Sequence, residues 1–332
     1  MRIALVTDAW SPQRNGVVRV LTALTAALTD MGHEIGVMEP SAFRTIPCPS
    51  YPEIPLALLP KSRLWSMLDA FKPDCVHLAT EGPLGWAGRA WCRHKGYPFT
   101  TAYHTKFPEY VQARTGLPLV AAYAVMRAFH GKAAATLCPS PSVYDELRQR
   151  GFSQAVEWAH GVDTATFRPQ DKDFFDLPRP LFMYVGRVAV EKNLPAFLSL
   201  DLPGTKVVVG DGPARAGLMR RFPDAHFRIV NGDAELSRAF AAGDVFVFPS
   251  RTDTFGLVML EALASGVPVA AFPVPGPLDV VGKAPVGVLS EDLAAAALAA
   301  LRIAPEACRT HACGFSWHNV ATQFLGQVRR VG

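Results

Sequence analysis

The 332-residue sequence lacks an apolar run long enough to cross a membrane. A membrane-spanning helix needs about 20 apolar residues, and the best candidates, Leu117–Met126 and Leu293–Leu301, have half that length. The first residues, MRIALVTDAW, place Asp8 directly after a short apolar stretch, which is not typical of a secretory signal peptide. We therefore expect a cytoplasmic protein that begins with a buried strand.

Cysteine is scarce, and its spacing fits neither a disulfide framework nor a metal site. The six cysteines include no CxxC pair, and Cys75 and Cys138 lie within strand-like runs. This usage is typical of reduced, buried thiols in a cytosolic protein. No cluster of histidine, cysteine and acidic residues has the spacing of metal ligands, so we expect no bound metal.

Common motifs for other chemistries are also missing. The sequence has no GxGxxG fingerprint, no Walker A loop and no GxSxG elbow, which argues against NAD, ATP and α/β-hydrolase chemistry. A large excess of positive charge is missing too, because 33 Lys and Arg oppose 29 Asp and Glu, for a net charge of +4. Neither half is basic enough for a nucleic-acid-binding domain (16 cations against 13 acids over 1–165, 17 against 16 over 166–332).

What is present is an alternation of short apolar runs with amphipathic helical stretches, which is typical of parallel α/β sheets. The length suggests two domains, and a hydrophobic content of 49% is enough for sizeable cores. We predict two doubly wound, Rossmann-like domains over 1–165 and 181–315, joined by a polar linker over 166–180. Parallel strands place their carboxyl ends at one edge, so we expect the two domains to face a common cleft.

The predicted elements follow the apolar runs. A helix over Ser142–Arg150 would be N-capped by Ser142. The predicted strands are Ile3–Thr7, Ile35–Glu39, Cys75–Leu78, Phe99–His104, Thr136–Pro139 and Val156–Ala159 in the first half, and Leu181–Val185, Lys206–Val209, Phe227–Val230, Val245–Pro249 and Val267–Phe272 in the second.

The most informative segment is SRTDTFGLVMLEA, which follows the apolar strand DVFVFP. Asp253 precedes a helix that should begin near Phe255–Leu257, and Glu261 lies further along it. Free N–H groups in the first turn of a helix form an anion site, and two carboxylates there can accept hydrogen bonds from vicinal hydroxyls of a sugar or ribose. The alternative is an N-capping aspartate and a solvated glutamate.

A second segment, YVGRVAVEKN, places two cations after a strand. Arg187 and Lys192 suit a diphosphate, because guanidinium binds phosphate oxygens as a planar fork and ammonium binds them as a point charge. The alternative is two surface cations paired with Glu191.

Three weaker signals lie in the first half. Gly16 stands just before a long helix, where it allows close backbone approach to an anion. His104 ends an apolar strand, where a structural histidine is the common alternative. The sequence His160-Gly161-Val162-Asp163 follows the last strand of this half and also fits a glycine turn capped by aspartate.

Together these segments resemble the retaining, nucleotide-sugar-dependent glycosyltransferases of family 4, which have the two-Rossmann GT-B fold. The resemblance covers nearly the whole chain. It rests on NGVVRVL, AYHTKFPEY, HGVDTATF, GRVAVEKNL and FVFPSRTDTFGLVMLEALASGVPVAA. The segments TDTFGLV and AYHTKFPEY are most similar to the branch of α-mannosyltransferases and lipid glycosyltransferases.

The resemblance implies a donor site in the second domain. Arg187 and Lys192 would hold the donor diphosphate, and Glu261 would bind the nucleotide ribose. Asp253 would hold hydroxyls of the transferred sugar, where the family often has glutamate. The backbone amides of Phe255, Gly256 and Leu257 would lie near the sugar and phosphates.

It also implies roles for the first domain and the C-terminus. His104 would contact the donor sugar near the reacting centre. Gly16 would let the first domain close over the diphosphate, although many members have two glycines in a turn where this chain has Asn15. The last helix, Trp317–Val328 within 316–332, would cross back onto the first domain.

We therefore expect a retaining, metal-independent glycosyltransferase without a cofactor. It would transfer a hexose, mannose or glucose, from a nucleoside diphosphate donor to a lipid or glycan acceptor, with no nucleic-acid partner. One alternative is a non-catalytic sugar-nucleotide-binding protein, which would release no nucleoside diphosphate. Another is a sugar-nucleotide epimerase, which would not need an acceptor.

The segment Pro60–Lys72, PKSRLWSMLDAFK, is a candidate for peripheral contact with the inner face of the membrane. Leu64, Trp65, Leu68 and Phe71 have helical spacing, and cations lie at both ends, as in helices that lie on a bilayer. The alternative is a helix that packs into the core.

Overall fold

The computed structural model describes residues 1–13, 15–48 and 51–331, and the side chains at 51–53, 110, 113 and 114 fall outside the description. The chain divides into two compact units. The first unit comprises Met1–His160 and Trp317–Gly332, and the second comprises Gly161–Ser316.

The first unit is built around a parallel sheet of six strands. Its elements are β1 (Arg2–Val6), α1 (Gly16–Asp30), β2 (Glu34–Met38), β3 (Thr45–Cys48), β4 (Tyr51–Ala57), α2 (Lys61–Phe71), β5 (Cys75–Leu78), α3 (Pro83–Lys95), β6 (Thr100–Ala102), α4 (Phe107–Thr115), α5 (Leu119–His130), β7 (Ala135–Cys138), α6 (Pro141–Gln149) and β8 (Ala155–Glu157). The strand order is β2-β1-β5-β6-β7-β8, and β3 and β4 form a separate antiparallel pair.

The second unit contains another parallel sheet of six strands, in the order β11-β10-β9-β12-β13-β14. Its elements are β9 (Leu181–Val185), α7 (Leu194–Leu198), β10 (Thr205–Val209), α8 (Arg215–Arg221), β11 (His226–Arg228), α9 (Gly232–Ala242), β12 (Val245–Phe248), α10 (Leu257–Ala264), β13 (Val269–Ala271), α11 (Pro277–Val280), β14 (Gly287–Leu289), α12 (Leu293–Ala300) and α13 (Pro305–Cys313). The last helix, α14 (Trp317–Gln327), belongs to the first unit.

The strand order confirms two doubly wound sheets. In each sheet the chain moves outward from the first strand and then returns to that strand's other side, so β5 pairs with β1 and β12 pairs with β9. The predicted strands lie where expected, within a few residues. Among the strands, two features were not predicted: β14, and the antiparallel pair β3–β4 in a proline-containing stretch.

The predicted N-cap of α6 is wrong by two residues. Ser140, not Ser142, accepts a hydrogen bond from the Val143 N–H at 3.4 Å, and Pro141 occupies the first helical position. Proline suits this position because its missing N–H would have no intrahelical partner there.

The residues from 166 to 180 pack within the second unit. The Gln170 side chain donates to Ser237 Oγ at 2.7 Å, and Arg179 forms an ion pair with Asp244 at 2.6 Å. These contacts, to α9 and to the residue before β12, tie the proposed linker to the second unit.

The last helix returns to the first unit, as predicted. Val320, Ala321 and Phe324 of α14 are buried, and the helix packs against α1. Trp158 Nε1 donates to the Val320 carbonyl at 3.2 Å, which fixes the helix beside the end of β8.

Helix α2 directs its apolar face inward. Leu64 and Leu68 are fully buried, and Trp65 Nε1 donates to the Ala87 carbonyl of α3 at 3.1 Å. The structure therefore favours the core-packing interpretation of this helix. Among the described residues, no helix is both long enough and apolar enough to span a membrane.

Two buried histidines should make the first unit sensitive to acid. Burial lowers the pKa of His77 to about 3 and that of His160 to about 4. Because an unfolded histidine gains its proton near pH 6.5, the unfolded state binds more protons below that pH. The stability associated with these residues is therefore present above pH 6.5 and is lost as the pH falls toward 4.

We expect the free energy of unfolding to fall by on the order of 2 kcal/mol per buried histidine between pH 7.5 and pH 5. Denaturant unfolding at the two pH values measures this difference. The variant His77→Gln, which cannot gain a proton, should show a smaller difference than the wild type. Equal differences in the two proteins would contradict this assignment.

Candidate functional site

The candidate site lies where the strand order of the second sheet reverses. Strands β9 and β12 are neighbours, although about 60 residues separate them in the chain. The loop after β9 carries Arg187 and Lys192, and the loop after β12 carries Asp253. Because both loops leave the carboxyl edge of adjacent parallel strands, residues far apart in sequence meet there.

Lys192 and Asp253 form an ion pair at this edge. Lys192 Nζ donates to Asp253 Oδ1, and the two side chains are only 20% and 16% exposed. Lys192 therefore pairs with Asp253. The surface-cation alternative had given it Glu191 as its partner. The second carboxylate oxygen, Asp253 Oδ2, is buried and accepts no hydrogen bond from the described residues. A buried acceptor without a donor is costly, and a ligand hydroxyl would satisfy it.

Two side chains fix the loop that carries the cations. Asn193 follows the short 3-10 turn Val190–Lys192 with a φ of 53°, and its Nδ2 donates to the Pro249 carbonyl at 3.1 Å. The Tyr184 hydroxyl donates to the Arg187 carbonyl at 2.9 Å. Burial, followed by the charges of Asp253 and Glu191, raises the pKa of Tyr184 well above its usual value, so this hydroxyl keeps its proton.

Helix α10 begins without a side-chain cap. Its N-cap is Gly256, whose φ of 88° is in the left-handed region that disfavours other residues. A Cβ at this position would lie 2.6 Å from Met259 Cε. Asp253 does not cap the helix, so the capping alternative for this residue is wrong. With no side chain capping it, the first turn presents a helix N-terminus suited to an anion.

The rest of this segment also lies in the second unit. Phe255 is buried in the core, which anchors the loop between Asp253 and Leu257, the first residue of α10. Glu261 is one turn further along α10 and is only 4% exposed. The solvated-glutamate alternative is therefore wrong, because this carboxylate lies in the interior.

Sequence reasoning missed the loop after β10. There Gly210 has a φ of 148°, and a Cβ on it would lie 2.0 Å from the Gly186 carbonyl oxygen. The loops after β9 and β10 can approach this closely only because the residue is glycine. The signal was present as Gly210-Asp211-Gly212 directly after an apolar run.

Two of the predicted site residues, Gly16 and His104, belong to the first unit. Gly16 is the first residue of α1, and a Cβ on it would meet none of the described atoms within 4 Å. Asn15 has an extended backbone with a φ of −149°, and its side chain accepts from the Val18 N–H at 3.0 Å. Asn15 therefore serves as the N-cap of α1. Arg14, in the same predicted turn, lies outside the described residues.

His104 follows β6 within an aromatic cluster. Its ring lies 6.0 Å from the Trp158 ring and 6.2 Å from the His160 ring. Burial, with the neighbouring histidines as the next contribution, holds the pKa of His104 well below 6.5. At neutral pH this ring is uncharged, so it can form hydrogen bonds but does not supply a positive charge.

The strand-order reversal of the first sheet carries another acid that sequence reasoning missed. Asp8 follows β1, and its carboxylate accepts from the N–H groups of Leu84 and Gly85 at 2.9 and 3.3 Å and from Thr80 Oγ1 at 2.8 Å. It therefore caps α3 from the end of the neighbouring strand. Burial raises the pKa of Asp8 above its usual value.

Among the described residues, no group of three histidine, cysteine or acidic side chains is placed to hold a metal ion.

Comparison with known proteins identifies the family. Residues 14–166 match the sequence model of Glycosyltransferase Family 4, and residues 179–304 match that of Glycosyl transferases group 1. A GDP-mannose-dependent alpha-mannosyltransferase from Mycobacterium tuberculosis is 31% identical over 100% of this chain and 97% of its own length. Alpha-monoglucosyldiacylglycerol synthase from Streptococcus pneumoniae is 29% identical over 92% of this chain and 79% of its own length.

The fold of this chain also resembles that of solved glycosyltransferase structures. Sucrose-phosphate synthase from Thermosynechococcus elongatus superposes with a TM-score of 0.75 at 21% identity, covering 98% of this chain and 97% of that structure. At 21% sequence identity, this structural similarity supports the fold alone, and the fold is GT-B. The full-length match at 31% identity, together with the two matched sequence models, supplies the activity class. The chain belongs to glycosyltransferase family 4 and is a retaining hexosyltransferase that uses a nucleotide sugar.

Proposed function

We propose that this enzyme transfers mannose or glucose from a nucleoside diphosphate sugar to a lipid or glycan acceptor at the cytoplasmic face of the membrane. The observation that carries the proposal is the half-buried Lys192–Asp253 ion pair beside the uncapped start of α10. In this arrangement the Lys192 ammonium would bind the diphosphate, and Asp253 Oδ2 beside it would accept a hydrogen bond from a sugar hydroxyl. The diphosphate and the sugar are the two groups joined by the bond that breaks during transfer.

The leaving diphosphate gains negative charge as the bond to the sugar breaks. Lys192, Arg187 and the N-terminal amides of α10 would stabilise that charge, because fixed donors act most strongly where charge develops. Phe255, Gly256 and Leu257 would position those amides. Neither Asp253 nor Glu261 is assigned as a nucleophile, since the diphosphate itself can take the proton of the acceptor hydroxyl on the same face.

The remaining site residues have supporting roles. The buried carboxylate of Glu261 would bind the nucleotide ribose, since carboxylates accept strong hydrogen bonds from vicinal hydroxyls. Neutral His104 would donate or accept a hydrogen bond at the donor sugar. Gly16 would leave the backbone at the start of α1 open to the diphosphate, in keeping with the free space around its Cα.

The relatives narrow the substrate class. One is named for GDP-mannose and another for the synthesis of a glucosylated diacylglycerol. Mannose with a guanosine donor and glucose with a lipid acceptor are therefore the first pairs to test. The alternatives of an epimerase and of a non-catalytic binder predict, respectively, a reaction without acceptor and no reaction at all.

Activity should not depend on a divalent cation. Lys192 and Arg187 can neutralise the leaving diphosphate in place of a metal ion. We expect turnover in excess EDTA to equal turnover in added magnesium or manganese. Loss of activity in EDTA with recovery on adding metal would overturn this expectation.

A thermal-shift panel tests the donor assignment. GDP-mannose, GDP, UDP-glucose, UDP and ADP-glucose would each be added to the wild type and to the Glu261→Gln variant. We expect one base to raise the Tm clearly more than the others, and this gain to shrink in the variant. No shift with any nucleotide would contradict the proposed donor site.

A further inference from the structure

Glu81 is a half-buried acid at the carboxyl edge of the first sheet, where the order of the strands reverses. It follows β5, and β5 lies between β1 and β6 in the sheet. The loop after β1 leads to Gly16, and His104 follows β6. Glu81 therefore leaves the sheet between the two residues of the first unit that are expected to face the donor.

The other acid at this edge is already satisfied by the protein. Both oxygens of Asp8 accept hydrogen bonds, from the first turn of α3 and from Thr80. Among the described residues, the carboxylate of Glu81 receives one hydrogen bond, from His130 Nε2 to Oε1 at 3.2 Å. Because the Glu81 side chain is 23% exposed, its second oxygen, Oε2, can accept from a ligand.

A buried chain of hydrogen bonds holds the Glu81 carboxylate in place. A carboxylate only accepts, so His130 Nε2 donates to it. In the neutral ring, Nδ1 then accepts from Thr101 Oγ1 at 2.9 Å, and Thr101 accepts from Thr136 Oγ1 at 2.9 Å. Gln154 Nε2 completes the chain by donating to Thr136 Oγ1 at 3.4 Å. Every donor in the chain therefore points toward Glu81.

Aromatic packing keeps His130 in this orientation. The ring is fully buried, and the ring centres of Phe129, Phe152 and Tyr103 lie 4.9, 5.9 and 6.2 Å from its own. The carboxylate that His130 holds is therefore fixed before a ligand arrives. A group that is already ordered loses little conformational freedom on binding, which strengthens the interaction with its ligand.

The charge of Glu81 indicates the chemical class of this ligand. A carboxylate repels the diphosphate of the donor, whereas it accepts strong hydrogen bonds from hydroxyl groups. In the proposed mechanism, the leaving diphosphate takes the proton of the hydroxyl that receives the sugar. Glu81 would therefore hold a different hydroxyl of the same acceptor.

We propose that Glu81 binds a hydroxyl beside the one that receives the sugar, and that the acceptor is a polyhydroxy compound with adjacent hydroxyls. A free glycoside and the sugar headgroup of a glycolipid share this chemistry. Diacylglycerol does not, because it carries a single hydroxyl. This inference rests on the proposed transfer and narrows its acceptor class.

Transfer to three acceptors tests the acceptor class, with the donor that the thermal-shift panel selects. The acceptors are methyl α-mannoside, a monoglycosyl diacylglycerol and diacylglycerol, with the two lipids dispersed in detergent. We expect the wild type to use one or both of the glycosides and not diacylglycerol. The comparison of the first two distinguishes a free glycoside from a glycolipid. Transfer to diacylglycerol at a similar or higher rate would overturn the proposal.

The variant Glu81→Gln keeps the shape of the side chain and removes its charge. We expect KM for the acceptor to rise on the order of tenfold or more, the scale of one hydrogen bond to a charged group, while KM for the donor stays unchanged. Asp69→Asn is the matched control, because Asp69 also accepts from a ring N–H, Trp91 Nε1, at 3.0 Å. It lies near the end of α2, toward the amino edge of the sheet. An unchanged acceptor KM in Glu81→Gln, or an equal rise in the control, would overturn the assignment.

Deoxy analogues separate hydroxyl binding from a structural effect of the substitution. Analogues of the active glycoside, each lacking one hydroxyl, would be compared in the wild type and in Glu81→Gln. Apart from the deletion that abolishes transfer, one deletion should raise the wild-type KM about as much as the substitution does. In the variant that deletion should have little further effect, because both changes remove the same hydrogen bond. Additive effects for every hydroxyl would show that Glu81 acts only through the fold.

Nucleotide binding distinguishes the failure of this inference from the failure of the proposed function. The Tm shift with nucleoside diphosphate should be the same in the wild type and in Glu81→Gln. A wild type that binds nucleotide and glycosylates diacylglycerol would retain the proposed function and lose only this inference. A wild type that glycosylates none of the three acceptors would contradict the proposed transfer itself.

Discussion

Replacing Lys192 with alanine is expected to lower kcat/KM by on the order of 10²-fold or more, the scale seen when a fixed donor to a developing negative charge is removed. The ammonium group faces the site where the diphosphate should leave, so its loss affects the transition state more than the bound donor. Arg187→Ala should have an effect of similar size. Steady-state kinetics with the preferred donor measures both variants.

The chain supplies a matched control for these variants. Lys172 forms an ion pair with Asp244 at 2.9 Å, at the opposite, amino edge of the same sheet. Lys172→Ala also removes a lysine–aspartate ion pair. An exposed pair of this kind contributes between 0 and about 1 kcal/mol to the free energy of unfolding. Because Lys172 lies away from the candidate site, its loss should leave kcat/KM unchanged. Near-wild-type turnover in both Lys192→Ala and Arg187→Ala, with their Tm preserved, would show that the cations do not hold the leaving group.

Asp253→Asn should abolish most of the turnover while leaving nucleoside diphosphate binding intact. The wild-type carboxylate neutralises Lys192 with one oxygen and keeps the other, Oδ2, unbonded among the described residues. Asparagine preserves the shape but loses the charge-assisted hydrogen bonds to sugar hydroxyls, so we expect kcat to fall by on the order of 10²-fold. Nucleoside diphosphate should bind equally well or more tightly, because Lys192 no longer has a competing carboxylate.

This combination of results distinguishes two roles of Asp253. If the residue only holds Lys192 in place, then nucleoside diphosphate affinity should fall together with turnover in Asp253→Asn. If it binds the sugar, affinity for the diphosphate persists and turnover is lost. Asp253→Glu, which keeps the charge on a longer arm, should remain active, and full activity of Asp253→Asn would reject the sugar-binding role.

The sequence predicted the components of this site better than their arrangement. Apolar runs located both sheets, and the polar residues that follow them located Lys192 and Asp253 separately. Their pairing could not be predicted, because it depends on β12 returning to the side of β9. The cap of α10 was also ambiguous, since only the backbone shows that Gly256, with its positive φ, begins the helix and leaves Asp253 available.

Three further features could not be predicted from the sequence, each for its own physical reason. Asp8 contacts Thr80 and Leu84, more than 70 residues away, so no local pattern indicates its role as a cap for α3. Strand β14 has only three residues and is only partly buried, which leaves little apolar signal. Helix α2 has the spacing of a membrane-surface helix, but the same spacing also serves the core, and only the packing of Leu64 and Leu68 decides between them.

We expect this chain to move a sugar from a nucleoside diphosphate to an acceptor with retention, through the charges of Arg187, Lys192 and Asp253 in the loops after β9 and β12. One measurement tests it most directly: the release of nucleoside diphosphate and the anomeric configuration of the product, followed together by NMR. The reaction would contain an α-linked donor and anionic vesicles with diacylglycerol, or methyl α-mannoside, as acceptor. We predict that release requires the acceptor, matches the glycoside formed and yields an α-linked product. Release at the same rate without acceptor, or a β-linked product, would contradict the account.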